Sequence, residues 1–174
     1  MHKKELIAIS QKVLRLSTHY KGISKYLKRE MAIDALLYAF LVGKYGDFVK
    51  VKRQYQIKPV GSKWPLRIDF RIGGPNPVFI ELAVRPPDGN PELYGPSNIN
   101  ELRKLLKFDS KVVKGKFLVL LDLKNDPIRK HNLKLTYDNV GVGKGKFMGK
   151  RATVIYVHSD TYYSFSYRGV KGKS

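Results

Sequence analysis

Hydrophobic positions change their period along the chain. Over residues 3–20, Leu6, Ile9, Val13 and Leu16 recur at helical spacing with Lys and Arg between them. Beyond Gly22 a second helix is predicted over 24–43, its polar residues early and its apolar residues late, ended by Gly43 or Gly46. The period then shortens to two. FVKVKRQYQIK (48–58) reads as a strand that places Lys50, Lys52, Gln54, Gln56 and Lys58 on one face.

After the turn PVGSKWP, the stretch LRIDFRIGGPNPVFIELAVR (66–85) predicts two strands around a Gly/Pro turn. Alternation sets Leu66, Ile68, Phe70 and Ile72 against Arg67, Asp69 and Arg71. In the next strand it sets Val78, Ile80, Leu82 and Val84 against Phe79, Glu81, Ala83 and Arg85. An irregular segment follows, and Asn98 with Glu101 marks a capped helix over 99–109. KFLVLLDL (116–123) is a strand buried on both faces. Pro127 opens a short helix, and GVGKGKFMGKR (141–151) is a Gly/Lys loop. RATVIYVHS and TYYSFSYR form a closing hairpin turning near Ser159-Asp160, before a tail, 169–174, expected to fray. The order is two helices, three strands, helix, strand, helix, two strands. That is an α/β layout with a partly antiparallel sheet, and 174 residues suit one domain spanning 1–174, with 1–22 as its N-terminal helix.

Charge sharpens this picture. Lys and Arg number 34 against 14 Asp and Glu, a net charge of +20, which is an electrostatic footprint for nucleic acid. No apolar run is long enough to span a bilayer, and the N-terminus lacks a signal peptide's apolar region, so a cytoplasmic protein without a membrane partner is expected. With no cysteine, disulfides, thiolate metal sites and Cys nucleophiles drop out together. The four histidines are scattered without zinc-ligand spacing. A serine hydrolase has no G-x-S-x-G elbow, and the Gly/Lys loop lacks the Walker spacing, so no nucleotide cofactor is expected. The loop's Lys144 and Lys146 read either as contacts to a nucleic-acid backbone or as a plain connection. Tyr162, Phe165 and Tyr167 in the last strand read as packing before base stacking.

In so basic a chain, two acids in the middle of neighbouring strands call for a reason. If the two strands pair, Asp69 and Glu81 share one polar face, and facing carboxylates repel unless a cation lies between them. Hard ions such as Mg²⁺ or Mn²⁺ suit oxygen ligands and would bring the chemistry of phosphodiester hydrolysis. The competing reading is a set of surface ion pairs from Asp69 to Arg67, Arg71 or Arg85. Glu30 has a like charge, Asp34, one turn on and no basic residue at that spacing. It is either a solvated helix acid or part of the same site.

These residues resemble the PD-(D/E)XK nuclease family. Asp69 matches the family Asp, Glu81 in IELAV matches the second acid, and Glu30 in KREMAIDALLYAF matches a metal-linked helix Glu. The order helix, three strands, helix, strand over about 24–122 also fits. Two departures stand out. Pro65 precedes Asp69 by four residues rather than one, and the motif Lys is replaced by Ala83. The resemblance implies a restriction-endonuclease-like three-layer core, a central mixed β-sheet flanked by helices. It implies Mg²⁺ or Mn²⁺ held by Asp69, Glu81 and the Leu82 carbonyl, with Glu30 near a second ion or its water. Lys104 on the following helix, or Lys52 on the first strand, is the candidate replacement for the missing Lys. Arg85 would clamp phosphate, and Lys50, Lys52, Arg67 and Arg71 would line the path of the nucleic acid.

The function so implied is a metal-dependent DNA endonuclease, restriction-type or junction-resolving, acting as a homodimer on double-stranded or branched DNA. The alternative is a catalytically inactive nucleic-acid-binding protein on the same scaffold, for which Ala83 speaks. A third reading is a basic component of a ribonucleoprotein or phage particle.

Overall fold

The computed structural model describes residues 1–19, 30–46, 50–87, 93, 96–108, 111–138, 150–159 and 161–168. Among these, the elements run α1 (Lys3–His19), α2 (Glu30–Tyr45), β1 (Val51–Ile57), β2 (Leu66–Ile72), β3 (Val78–Arg85), α3 (Pro96–Leu106), β4 (Gly115–Asp122), α4 (Lys130–Asp138), β5 (Arg151–His158) and β6 (Thr161–Arg168). The strands form one sheet in sequence order, β1-β2-β3-β4-β5-β6. The pairs β3–β4 and β4–β5 are parallel, and the rest are antiparallel. The fold is therefore α/β with a six-stranded mixed sheet. No helix among the described residues is long and apolar enough to cross a membrane.

Alternation in β3 explains the layers. Val78, Ile80, Leu82 and Val84 join one apolar cluster with Leu6, Val13, Leu37 and Leu41 from α1 and α2. Phe79 and Ala83 join a second cluster with Leu102, Leu105, Leu133 and Tyr137 from α3 and α4. Each parallel crossover needs a helix, and both crossover helices cover the same face, as two right-handed connections advancing in one direction require. All eight residues of β3 are buried. The polar face expected for Glu81 is thus a covered one.

Three expectations need correction. Leu66, Ile68, Phe70 and Ile72 do not share one core: Phe70 and Ile72 pack with α1 and α2, whereas Ile68 and Leu66 pack with α3. The β1–β2 ribbon turns over between these pairs, beside Gln54, whose φ of 48° lies in the left-handed region. Second, α3 begins at Pro96, so Asn98 lies inside its first turn and is not its cap. Proline's fixed φ suits the first helical position. Third, α4 begins at Lys130 and not at Pro127. The intervening backbone is held elsewhere, as the Ile128 N–H donates to the Tyr156 hydroxyl at 2.8 Å. The β5–β6 hairpin turns where expected: His158 pairs with Thr161, and Ser159 has a φ of 44°.

Candidate functional site

The ladder between β2 and β3 runs only from Ile72–Val78 to Phe70–Ile80 and stops one residue short of Asp69. Beyond it the two strands separate. The Leu82 N–H, which would otherwise seek a β2 carbonyl, donates to Asp69 Oδ2 at 2.8 Å. Gln54 Nε2 donates to Asp69 Oδ1 at 3.2 Å from β1, on the other side of β2. A non-glycine residue in the left-handed region costs on the order of 1 kcal/mol, and here it is spent on orienting a carboxylate. Asp69 is therefore fixed at the mouth of the gap. The Leu82 carbonyl leaves β3 on the same side as its N–H, toward that gap.

A cleft of about 540 Å³ opens there, lined among others by Glu30, Gln54, Asp69, Ala83, Glu101 and Lys104. Glu81 lies beneath it with no exposed surface. Its Oε1 stands 2.9 Å from Lys104 Nζ, and Lys104 also pairs with Glu101 one turn back on α3. Neither Glu81 oxygen has a partner in hydrogen-bonding geometry. Burial, then the charge on Asp69, then the carboxyl of Glu101 push the Glu81 carboxyl up to about 11, against the pull of Lys104. Desolvation also acts against the charge on Lys104, but Glu81 and Glu101 outweigh it and hold the ammonium above the ordinary lysine range. Burial thus favours the protonated form of Glu81, and the neighbouring carboxyls favour the charged form of Lys104.

Glu30 stands exposed at the first turn of α2. Desolvation raises its carboxyl, and repulsion from Asp69, Asp34 and Glu101 raises it further. Asp34 answers its own burial by pairing with Arg53, which lies 5.3 Å over the Tyr38 ring. Four of the chain's 14 acids, Glu30, Asp69, Glu81 and Glu101, therefore converge on one cleft.

The structure gathers Glu30, Asp69, Glu81, Leu82 and Lys104, and separates other sequence candidates from them. Arg85 shares the Glu81 face of β3 by parity, yet only 5% of it is exposed. Its Nε donates to Asp122 Oδ1 at 2.7 Å, and its Nη2 reaches both Asp122 Oδ2 and the Asp126 carbonyl. Its guanidinium is committed inside the fold, at the C-terminal ends of β3 and β4, which corrects the expectation of a phosphate clamp. Lys52 stands opposite Arg71 in the ribbon, with its Nζ 6.0 Å from the Tyr55 ring, and does not line the cleft. Arg71 lies 5.0 Å over the same ring and donates to the Gly74 carbonyl at 2.9 Å. Arg67 lines the cleft, and Lys50 is exposed. Lys144 and Lys146 fall outside the described residues. Of the terminal aromatics, Tyr167 and Phe165 pack into the core. Tyr162 is half exposed.

Sequence reasoning missed Gln54 and the site role of Glu101. The signal for Glu101 was present, since Glu101 and Lys104 are three apart on a helix that must cover the strand bearing Glu81.

The donor set fits a hard divalent ion in kind: carboxylate oxygens, one backbone carbonyl, and a buried carboxylate that faces Lys104 through Oε1 and leaves Oε2 without a hydrogen bond. Among the described residues, no three His, Cys, Asp or Glu side chains are already drawn together as a ready-made metal cage. No protein-family model matches the chain, and no curated protein is significantly similar to it in sequence.

Proposed function

We propose that this chain is a metal-dependent DNA endonuclease with a restriction-endonuclease-like core of the PD-(D/E)XK kind. The observation that carries the reading is the convergence of Asp69, Glu81 and Lys104 where β2 parts from β3, inside a chain of net charge +20. Lys104 and Ala83 line the same cleft, so a lysine from α3 supplies the charge that the strand position lacks. Asp69, Glu81 and the Leu82 carbonyl are the groups that would hold Mg²⁺ or Mn²⁺. When bound, such an ion polarises a phosphoryl oxygen and lowers the pKa of a coordinated water.

The chain's own residues do the rest. Gln54 and the Leu82 N–H fix the rotamer of Asp69 before substrate arrives, so no ordering cost falls on binding. Lys104, held by Glu81 and Glu101, presents a permanent positive charge toward a scissile phosphate. Glu30 at the rim adds a carboxylate that can orient a water. Arg67 and the exposed lysines of the ribbon draw in the polyanion, and a homodimer would let each copy cut one strand.

The rival reading is a nucleic-acid-binding protein with silent acids. In its favour, Lys104 already occupies the place between Glu81 and Glu101 where a cation would lie. Incubation with supercoiled plasmid and with a four-way junction, in Mg²⁺, Mn²⁺ or EDTA, separates the two. The endonuclease cuts only with metal and stops cutting as Asp69→Ala or Glu81→Ala. Salt-sensitive binding without cutting, unchanged or tighter in both variants, establishes the binder instead.

A further inference from the structure

A second concavity adjoins the acidic cleft and is opposite in charge. It encloses about 720 Å³ between the β1–β2 loop, α3 and Lys150, and it shares Leu66, Glu101 and Lys104 with the cleft. Its cations are Lys63, Arg103, Lys104, Lys107 and Lys150, against the single carboxylate of Glu101. Lys150 Nζ donates to the Lys107 carbonyl at 3.2 Å, which ties this wall to the C-terminal end of α3. A chain of phosphates leaving the cleft meets these lysines next.

The loop forming the other wall is built and not slack. Ser62 N–H donates to the Pro59 carbonyl at 3.0 Å around Gly61, whose φ is 76°, the geometry of a type II turn. The Ser62 hydroxyl then donates to the Trp64 carbonyl at 2.8 Å. This fixed turn holds Val60 fully exposed and leaves Trp64 68% exposed, directly after the groove-lining Lys63. Lys63 Nζ lies 5.3 Å from the Trp64 ring, so a cation and an aromatic face are offered together. Phosphate contacts alone need no aromatic ring. Basic grooves that hold unpaired strands pair their cations with such rings, because a base with no partner stacks on them.

We propose that this groove binds an unpaired stretch of DNA running out of the cleft, with a base stacked on Trp64. The proposal rests on the endonuclease reading for the choice of DNA and names its substrate class: strands with unpaired nucleotides next to the cut, single-stranded or branched. Lys107 and Lys150 hold the backbone, and Val60 abuts the neighbouring base.

Trp64 is the chain's one tryptophan, so its fluorescence reports this site alone. The test titrates the whole protein, in EDTA to prevent cutting, with three DNAs: a single strand, a perfect duplex, and a duplex carrying a single-stranded flap. The single strand and the flap quench the emission, and the duplex leaves it unchanged. By anisotropy of labelled DNA, Trp64→Ala weakens binding of the first two by roughly tenfold and leaves the duplex unaffected. Lys107→Ala likewise weakens the single strand and the flap more than the duplex. Equal quenching by all three DNAs, or an undiminished preference in Trp64→Ala, overturns the proposal. Adding Mg²⁺ to the flap separates the two readings. Quenching without cutting refutes the endonuclease and leaves the groove standing, whereas cutting without quenching refutes the groove alone.

Discussion

Replacing Glu81 by Gln should stabilise the protein at neutral pH while removing its response to metal. Glu81 is completely buried, and its carboxyl is raised from an ordinary 4.5 to about 11. Below about pH 4 both folded and unfolded chains hold this proton, and the residue costs nothing. As pH rises through 4.5 the unfolded chain releases the proton and the folded chain keeps it, so stability falls steadily until the folded group itself ionises. At pH 7 the gap from the unfolded value is about 2.5 units, or about 3 kcal/mol at ~1.4 kcal/mol per unit. Gln keeps the shape and has no proton to lose. Its amide must still be desolvated, at about 1 kcal/mol or more, so a net gain of about 1–2 kcal/mol is expected.

Urea unfolding of both proteins in EDTA, at pH 4 and pH 7, measures this directly. At pH 4 Glu81→Gln should be the less stable by about 1 kcal/mol, the cost of burying its amide, and at pH 7 it should be the more stable. Metal reverses the order. A divalent ion that binds only the folded wild type adds about 2.7 kcal/mol at a hundredfold excess over its Kd, and Glu81→Gln should gain little of it. If Glu81→Gln is instead the less stable at pH 7 without metal, Glu81 is ionised and Lys104 neutralises it. The cluster would then be a closed ion pair with no place for a metal.

Lys104→Ala should abolish metal-dependent cutting, and Ala83→Lys placed in that background should restore part of it. Failure of that restoration alongside a normal circular-dichroism spectrum would deny Lys104 the role of the strand lysine. Asp122→Ala leaves the buried Arg85 charge without its carboxylate and should cost about 3–5 kcal/mol in chemical unfolding. Gln54→Ala frees Asp69 from one of its two hydrogen bonds, and cutting should fall with little change in DNA affinity, separable by single-turnover kinetics. Removing any one phosphate-contacting lysine of the basic groove should reduce the slope of log K against log salt by about 1.

The elements were legible because each carries its own period. Helical spacing marked α1, alternation marked β2 and β3, and the unbroken apolar run marked β4. The convergence of Asp69 and Glu81 was legible too, since a short connection leaves adjacent strands little choice of partner. What escaped lies in non-local pairing. Parity alone put Arg85 on the working face, but its partner Asp122 comes from β4, 37 residues away. The split between Ile68 and Phe70 follows from the left-handed backbone of Gln54, which no propensity requires of a glutamine. Lys104 could be named as a candidate and not chosen over Lys52, because the start of α3 decides which of its side chains lie over β3.

The two buried acids of the central strands stand in different surroundings. Asp122 accepts from Arg85 Nε and Nη2, from the Tyr156 hydroxyl at 2.5 Å and from the Lys124 N–H at 3.1 Å. Every lone pair direction is answered, and the burial of Tyr156 beside that carboxylate raises its hydroxyl far above the ordinary range. Glu81 lies at the same depth in the neighbouring strand, and neither of its oxygens is so answered. A fold that needed a carboxylate there only for stability would have surrounded it with donors, as it does for Asp122. Instead α3 brings a second acid and one lysine, and burial favours the neutral form of the Glu81 carboxyl. Asp122 should therefore be intolerant of neutral substitution and Glu81 improved by it, and that opposition is what a site kept for chemistry predicts.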